Sequence, residues 1–446
     1  MSVVVRGARG WVLDAHALVD RGYCRCRRPG EDDQRSHWTG RFKKQFFQMP
    51  KCHFSAGADV DEGNTDMLHK ADRTSKKRKR KHCSELNQGE IDSRAFHEKI
   101  GSVVLEGTTS LLASARSLGY LTGVTDAVKE PLPSQECGLA ALCDMARDLS
   151  MADDDDHDDD DDDQQQQQQQ WRDQCVQPLV GEGGRTSHLD LFSRVTQHEA
   201  RWAAVVPLMG GEYVIPPRAA FLLSDFTRMR PLVRYGKRFD LIVMDPPWEN
   251  KSVKRSRRYS SLPSSQLKRL PIPTLASPNC LVVTWVTNRP SHLRFVRDEL
   301  YPHWGLEVVA EWFWVKVTTS GEFVFPLDSN HKKPYEVLVL GRYRCDAESS
   351  AGTSEVPVED QRLIVSVPSA LHSQKPCLSE VLMPHVGGGA ECLELFARSL
   401  QPGWTSWGNE VLKFQHTSFF TLTPDGAEAG PESSSPGGSS PHLANT

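Results

Sequence analysis

The spacing of apolar residues changes character along this chain, and the change divides it. From about Thr186 onward, short apolar runs with the composition of buried strands alternate with stretches of helical periodicity. The strand-like runs are Phe239 to Met244, Cys280 to Val286, Leu306 to Val317, Tyr335 to Leu340, Leu363 to Val367 and Leu393 to Phe396. Between them, Ser264 to Leu270, His292 to Leu300 and Cys377 to His385 read as helices. Such alternation predicts an α/β domain on a largely parallel sheet, here spanning residues 186–417. Open sheets of this kind bind ligands beyond the carboxyl ends of their strands.

The earlier part of the chain is patterned more weakly. Residues 1–83 read as poorly ordered, with one apolar patch (Val3 to Val5, Trp11 to Leu13, Leu18, Val19) able to form a small docking element. Residues 84–150 read as a helical N-terminal region. Phe96, Ile100, Val103 and Val104 share one face, and Leu139, Leu142, Cys143, Ala146 and Leu149 repeat the spacing. These are ordinary core stripes and carry no chemistry. Residues 151–185 hold an aspartate run (Asp153 to Asp163) that passes into Gln164 to Gln170, too polar to bury a core and read as a disordered linker. Unconstrained carboxylates offer no defined metal geometry. Residues 418–446, rich in Ser, Gly and Pro, read as a disordered tail.

Composition and charge refine this picture in three places. A length of 446 residues allows two or three domains. The net charge is only −5, which argues against a uniformly basic surface, but the average hides segregation. Lys76, Lys77, Arg78, Lys79, Arg80 and Lys81 stand in one basic run, read as a nuclear localisation signal in preference to a solvated linker. The expected location is therefore the nucleus, with the cytosol second. Eleven scattered cysteines suggest neither a disulfide framework nor a zinc site, so no metal is expected. No apolar run is long enough to span a bilayer and no signal-peptide pattern stands at the N-terminus, so no membrane partner is expected.

The candidate chemistry lies where Phe239 to Met244 ends, in Asp245-Pro246-Pro247-Trp248. An exocyclic adenine amine is a poor nucleophile because its lone pair is delocalised into the ring. The Asp245 carboxylate can accept one amine hydrogen and the Pro246 carbonyl the other, turning the nitrogen toward tetrahedral geometry. Prolines fix φ and carry no N–H, so the turn is stiff and offers only acceptors. Trp248 offers a flat face for stacking on a base. The plain alternative is a tight turn with an Asp cap and a core tryptophan. Beside the tetrad, Lys251, Lys254, Arg255, Arg257 and Arg258 with Tyr259 among them read as a loop that grips phosphates and stacks bases. Asn250 and Asn288 are further candidates for contact with the base.

The tetrad, with DPPWENKSVKRSRRYS from Asp245, LVVTWVTNRP from Leu281, GEFVFPLDSNHKKPYE from Gly321, LHSQKP from Leu371 and ECLELFARSLQPGWTSWGNEVLKFQ from Glu391, resembles the MT-A-seventy-like family of adenine N6-methyltransferases. The resemblance covers roughly Thr186 to Gln415. It implies a Rossmann-like domain of permuted order, catalytic strand first, with S-adenosylmethionine as cofactor. Lys375 then matches the lysine that holds the donor's methionine carboxylate. Asp225 and Phe226 match the segment that contacts the donor's adenine, and Asn409 and Glu410 the pair that binds its ribose. Arg398 lines the same pocket, and Asp245 is shared by cofactor and substrate. In the messenger-RNA-modifying members a His-Asn pair follows that arginine, whereas here Ser399-Leu400 follows in a shorter loop.

The branch of the family it resembles most implies an RNA target, an internal 2′-O-methyladenosine of U2 small nuclear RNA converted to m6Am, without an obligate partner subunit. A DNA adenine N6-methyltransferase is the alternative. A catalytically silent nucleic-acid-binding subunit is the alternative of another class, and the intact tetrad with Lys375 speaks against it.

Overall fold

The computed structural model describes residues 2–28, 37–49, 52, 88–123, 145–146, 175–181, 189–249, 262–329, 332–344 and 356–424. The basic run 76–81, the aspartate and glutamine tract, the loop 250–261 and residues 425–446 lie outside the described residues.

In chain order the strands begin with β1 (Val3–Gly7), β2 (Gly10–Leu13), β3 (Cys26–Arg27), β4 (Trp38–Phe42), β5 (Val176–Pro178), β6 (Val195–Gln197), β7 (Ala203–Leu208) and β8 (Gly211–Ile215). They continue with β9 (Ala220–Leu222), β10 (Phe239–Met244), β11 (Ala276–Val286), β12 (Leu306–Lys316), β13 (Tyr335–Tyr343), β14 (Leu363–Ser366), β15 (Cys392–Leu395), β16 (Trp404–Trp407) and β17 (Phe420–Pro424). Twelve form one sheet in the order β1-β2-β14-β12-β13-β11-β10-β15-β16-β9-β6-β5, and five a second in the order β17-β4-β3-β7-β8.

Within the large sheet, β11, β10, β15, β16 and β9 are consecutive neighbours and pair in parallel. β13 alone reverses between β11 and β12, while β12, β14 and β2 resume the common direction. All six strand-like runs of the sequence are strands, and each starts or ends within a few residues of its expected bounds. β10 sits mid-sheet with Phe239 and Leu241 to Met244 buried. A parallel strand covered on both faces is apolar at nearly every position, which is why it was legible. One face of β10 (Phe239, Ile242, Met244) joins a core with Leu393, Leu395 and Trp407; the other (Leu241, Val243) joins Leu281, Val283 and Trp285.

The N-terminal expectation needs correction. The described residues 2–28 and 37–49 are not a poorly ordered appendage: β1 and β2 form a hairpin on the edge of the main sheet, and β3 and β4 are inner strands of the second sheet. All four residues of β2 are buried. Gly10 permits the close approach, with φ +143° and the Leu363 carbonyl oxygen 1.9 Å from where a Cβ would stand. Strands this short carry too few alternations to stand out from their neighbours. The region is therefore mixed, with helix α1 (Ala15–Asp20) between β2 and β3.

Within residues 84–150 the described residues include one long helix, α2 (Gln88–Ser117), which lays Ile100, Val104, Leu111, Leu112 and Ala115 into the core. Of the second apolar repeat, only Ala146 falls within the described residues. Two boundaries also move. β5 lies inside the segment read as linker and pairs with β6, and β17 lies inside the segment read as tail and pairs with β4. Residues 186–417 are thus not a self-contained unit.

Candidate active site

Parallel strands deliver their carboxyl ends to one edge of a sheet, and the sequence-predicted residues follow those ends. Asp225 and Phe226 come after β9, Asn409 and Glu410 after β16, Arg398 after β15, Asp245 after β10 and Asn288 after β11. Since β9, β16, β15, β10 and β11 are successive neighbours, these residues form a row. Glu336 joins it from the start of the reversed β13, and Lys316 from the end of β12.

Along this row the charges alternate in sign. Lys316 Nζ lies 2.5 Å from Glu336 Oε1, and Glu336 Oε2 lies 2.8 Å from Lys375 Nζ. Lys375 Nζ is 3.4 Å from Asp245 Oδ2, which also accepts from Arg398 Nη1 at 2.7 Å. Arg398 Nε then donates to Glu410 Oε2 at 3.0 Å, and Lys413 Nζ donates to Glu410 Oε1 at 2.7 Å. Each ion therefore has opposite charges beside it, the condition under which burying charge is tolerable. Burial opposes the charge of Glu336, yet Lys316 and Lys375 hold its carboxyl far below the usual range. Burial likewise opposes the charges of Lys375 and Arg398, but the carboxylates beside each raise both pKa values.

Asp245, Lys375 and Arg398 line one cleft, with Glu394 and Gln374 in its wall. Burial pushes the Glu394 carboxyl up to about 7, with the nearby Asp245 charge adding to the shift, while a bond from Gln401 Nε2 at 2.8 Å pulls the other way. Ser373 takes φ +69°, a sharp bend just before Gln374 and Lys375. The N-terminal segment supplies another wall through Leu18, Tyr23 and Phe42. Buried Gln415 ties that wall to the loop after Arg398, donating to Tyr23 Oη at 3.0 Å and accepting from the Leu400 N–H at 3.0 Å. Leu400 is thereby turned inward, so the Ser399-Leu400 loop is braced from behind.

A family model, MT-A70, matches residues 239–410. The mouse N(6)-adenine-specific methyltransferase METTL4 is 49% identical over 357 residues, 78% of this chain and 72% of the mouse protein. The chain belongs to the MT-A70 family of adenine N6-methyltransferases. Two further relatives match over shorter stretches. The N6-methyladenosine RNA methyltransferase MTA1 of Pyricularia oryzae is 37% identical over 224 residues, 48% of this chain and 57% of the relative. A DNA N6-methyl methyltransferase of Caenorhabditis elegans is 37% identical over 214 residues, 48% of this chain and 56% of the relative.

Within this MT-A70 domain the structure brings together Asp245, Lys375, Arg398 and Glu410, and departs from expectation elsewhere. Trp248 is not an open platform. It is 5% exposed, its Nε1 donates to the Trp285 carbonyl at 2.8 Å, and its ring stacks on His292 with centroids 5.0 Å apart. The plain alternative, a core tryptophan, describes it: it braces the turn from below. Asn288 donates from Nδ2 to the Tyr335 carbonyl, and its Oδ1 is buried without a partner. Asp225 does not line the cleft; its carboxylate accepts from the Thr227 N–H and hydroxyl at 3.2 and 3.1 Å. Phe226 packs against the main core. Asn250, Lys251, Lys254, Arg255, Arg257, Arg258 and Tyr259 lie outside the described residues.

Three charged residues of the MT-A70 site escaped the sequence reading. Glu394 reads as the polar position of an alternating strand, Glu336 as a glutamate at a strand start, and Lys316 as a lysine at a strand end. Only the fold places them in one row, and no spacing signal in a single sequence reports that.

Proposed function

We propose that this protein transfers a methyl group from S-adenosylmethionine to the N6 nitrogen of an adenine in RNA, most specifically an internal 2′-O-methyladenosine of U2 small nuclear RNA. The single observation that carries the chemistry is the placement of the Asp245 carboxylate at the end of β10, between two cations and in the wall of a cleft. Both cations reach the same oxygen, Oδ2, which leaves Oδ1 to accept an amine hydrogen. The Pro246 carbonyl accepts the Trp248 N–H at 2.8 Å, so one lone pair is fixed and the other remains for the second amine hydrogen. Positioning of this sort, with no nucleophilic side chain, lowers the barrier through orientation and electrostatics.

The donor set fits the cofactor. Lys375 offers a cation to its carboxylate, Asp245 an anion to its ammonium, and Asn409 with Glu410 acceptors to its ribose hydroxyls. Asp225 and Phe226, at the β9 end of the same row, are the expected neighbours of its adenine. Gln374 Oε1, buried in the cleft wall without a partner, is an acceptor that a polar ligand would satisfy. When bound, the cofactor supplies an electrophilic methyl group on sulfur. Arg398 then holds Asp245 in orientation, and Glu410 holds Arg398. The order of the chain, with β10 before its parallel neighbour β15, supports reading the domain as a permuted Rossmann-like methyltransferase with the catalytic strand first.

The basic run 76–81 supports a nuclear location, and the loop 250–259 supplies cations for the nucleic-acid backbone. We read the chain as active without an obligate partner subunit. DNA is the second reading, favoured by the likeness to the nematode enzyme. Mass spectrometry of RNA and DNA after incubation with isotopically labelled donor separates the two. Label in the small nuclear RNA alone is the expected result; label confined to DNA overturns the RNA assignment.

A further inference from the structure

The row of charges has a far end to which the donor-site reading gives no role. Lys316 closes β12, and its ammonium lies 2.5 Å from Glu336 and 4.5 Å from the centroid of the Trp314 ring. Its position is set by the sheet: β12 and β13 pair with Trp314 opposite Glu336, and the Lys316 N–H donates to the Pro334 carbonyl at 2.7 Å. Glu336 is nearer to Lys375 than Asp245 is, 2.8 against 3.4 Å. The charge of Lys375 is therefore already shared between two carboxylates, and a third arriving at the same ammonium meets repulsion from both.

We propose that Lys316 is a positioning residue for donor binding: by neutralising Glu336 it leaves the Lys375 ammonium available to the carboxylate of the donor's amino-acid arm. The proposal rests on the reading of Lys375 as the group that holds that carboxylate. Without Lys316, Glu336 either pins Lys375 or repels the incoming anion, and both outcomes weaken donor binding. The face of Trp314 steadies the ammonium, so the neutralising charge stays in place. A cation is required at this position; an apolar side chain of equal length is not enough.

Calorimetry with two probes tests this. S-adenosylhomocysteine carries the amino-acid arm, and 5′-methylthioadenosine has the same nucleoside without it. Lys316→Met is expected to weaken S-adenosylhomocysteine roughly tenfold, as for one lost charge-assisted contact, and to leave 5′-methylthioadenosine unchanged. Lys316→Arg restores binding. The double variant Lys316→Met with Glu336→Gln returns to within about threefold of the wild type, because no uncompensated charge remains. In turnover the donor KM rises more than kcat falls. Equal loss of both probes in Lys316→Met, or no recovery in the double variant, overturns the proposal and leaves Lys316 a merely structural residue. Normal binding by Lys316→Met, with selective loss of S-adenosylhomocysteine by Lys375→Met, defeats the role of Lys316 and preserves the donor site. Unchanged binding by Lys375→Met defeats both.

Discussion

Asp245 stands in two relationships at once, bonded to Arg398 through one carboxylate oxygen and exposed to the cleft through its place at a strand end. Replacing it with Asn keeps the shape and removes the charge. Turnover is expected to fall by about 10²–10³, the range for loss of one preorganised group, while nucleic-acid affinity measured by fluorescence anisotropy stays near wild type. Glu394 makes a different prediction. Its carboxyl is pushed up to about 7 by burial, from an ordinary value of 4.5. A raised pKa means the protonated form is favoured in the fold, so its stabilising contribution is complete below about 4.5 and is lost as pH rises through about 7. Glu394→Gln should therefore show a smaller decline in melting temperature across that window than the wild type does. An identical slope in both proteins would remove Glu394 from the account. The tetrad was legible in sequence because two prolines and a tryptophan after an apolar run are rare and chemically pointed. Glu394, Glu336 and Lys316 were not, because a single charge in an alternating strand has no signature until its neighbours across the sheet are known.

The strands of the two sheets show the same divide between legible and hidden. β10, β11, β12 and β13 were readable since burial on both faces writes a continuous apolar run. β1 and β2 were read only as a small docking element, and β3, β4 and β6 to β8 were missed, because they are short or lie among polar residues; some also pair with strands distant in sequence. β2, for example, pairs with β14, some 350 residues later. Gly10 tests that pairing. A methyl group at this position would strike the Leu363 carbonyl, and the backbone at φ +143° disfavours any side chain. Gly10→Ala should destabilise the fold by about 2–4 kcal/mol through strain and lost packing, measured by urea unfolding. A change under about 0.5 kcal/mol, typical of an indifferent surface site, would mean that the β1–β2 hairpin is dispensable.

At the scale of the whole molecule, the methyltransferase domain as the sequence delimits it is incomplete. Tyr23 and Phe42 belong to a core with Val205, Val214, Phe414 and Phe419, and the same two residues line the cleft. A fragment of residues 186–417 lacks that core's N-terminal half and its last strand. It should elute as an aggregate or give the circular dichroism of an unfolded chain, whereas a cooperatively melting fragment would refute the shared core. The alternation of strands and helices identified the architecture, but no periodicity could announce that residues before Met49 complete it. The pairing of β4 with β17 has a consequence for biosynthesis. Residues 38–42 are made early and wait, with an open hydrogen-bonding edge, for residues 420–424. The second sheet therefore cannot close during translation until residues 420–424 have been made, and in that interval the exposed edge is a target for chaperones and for mispairing with other nascent chains.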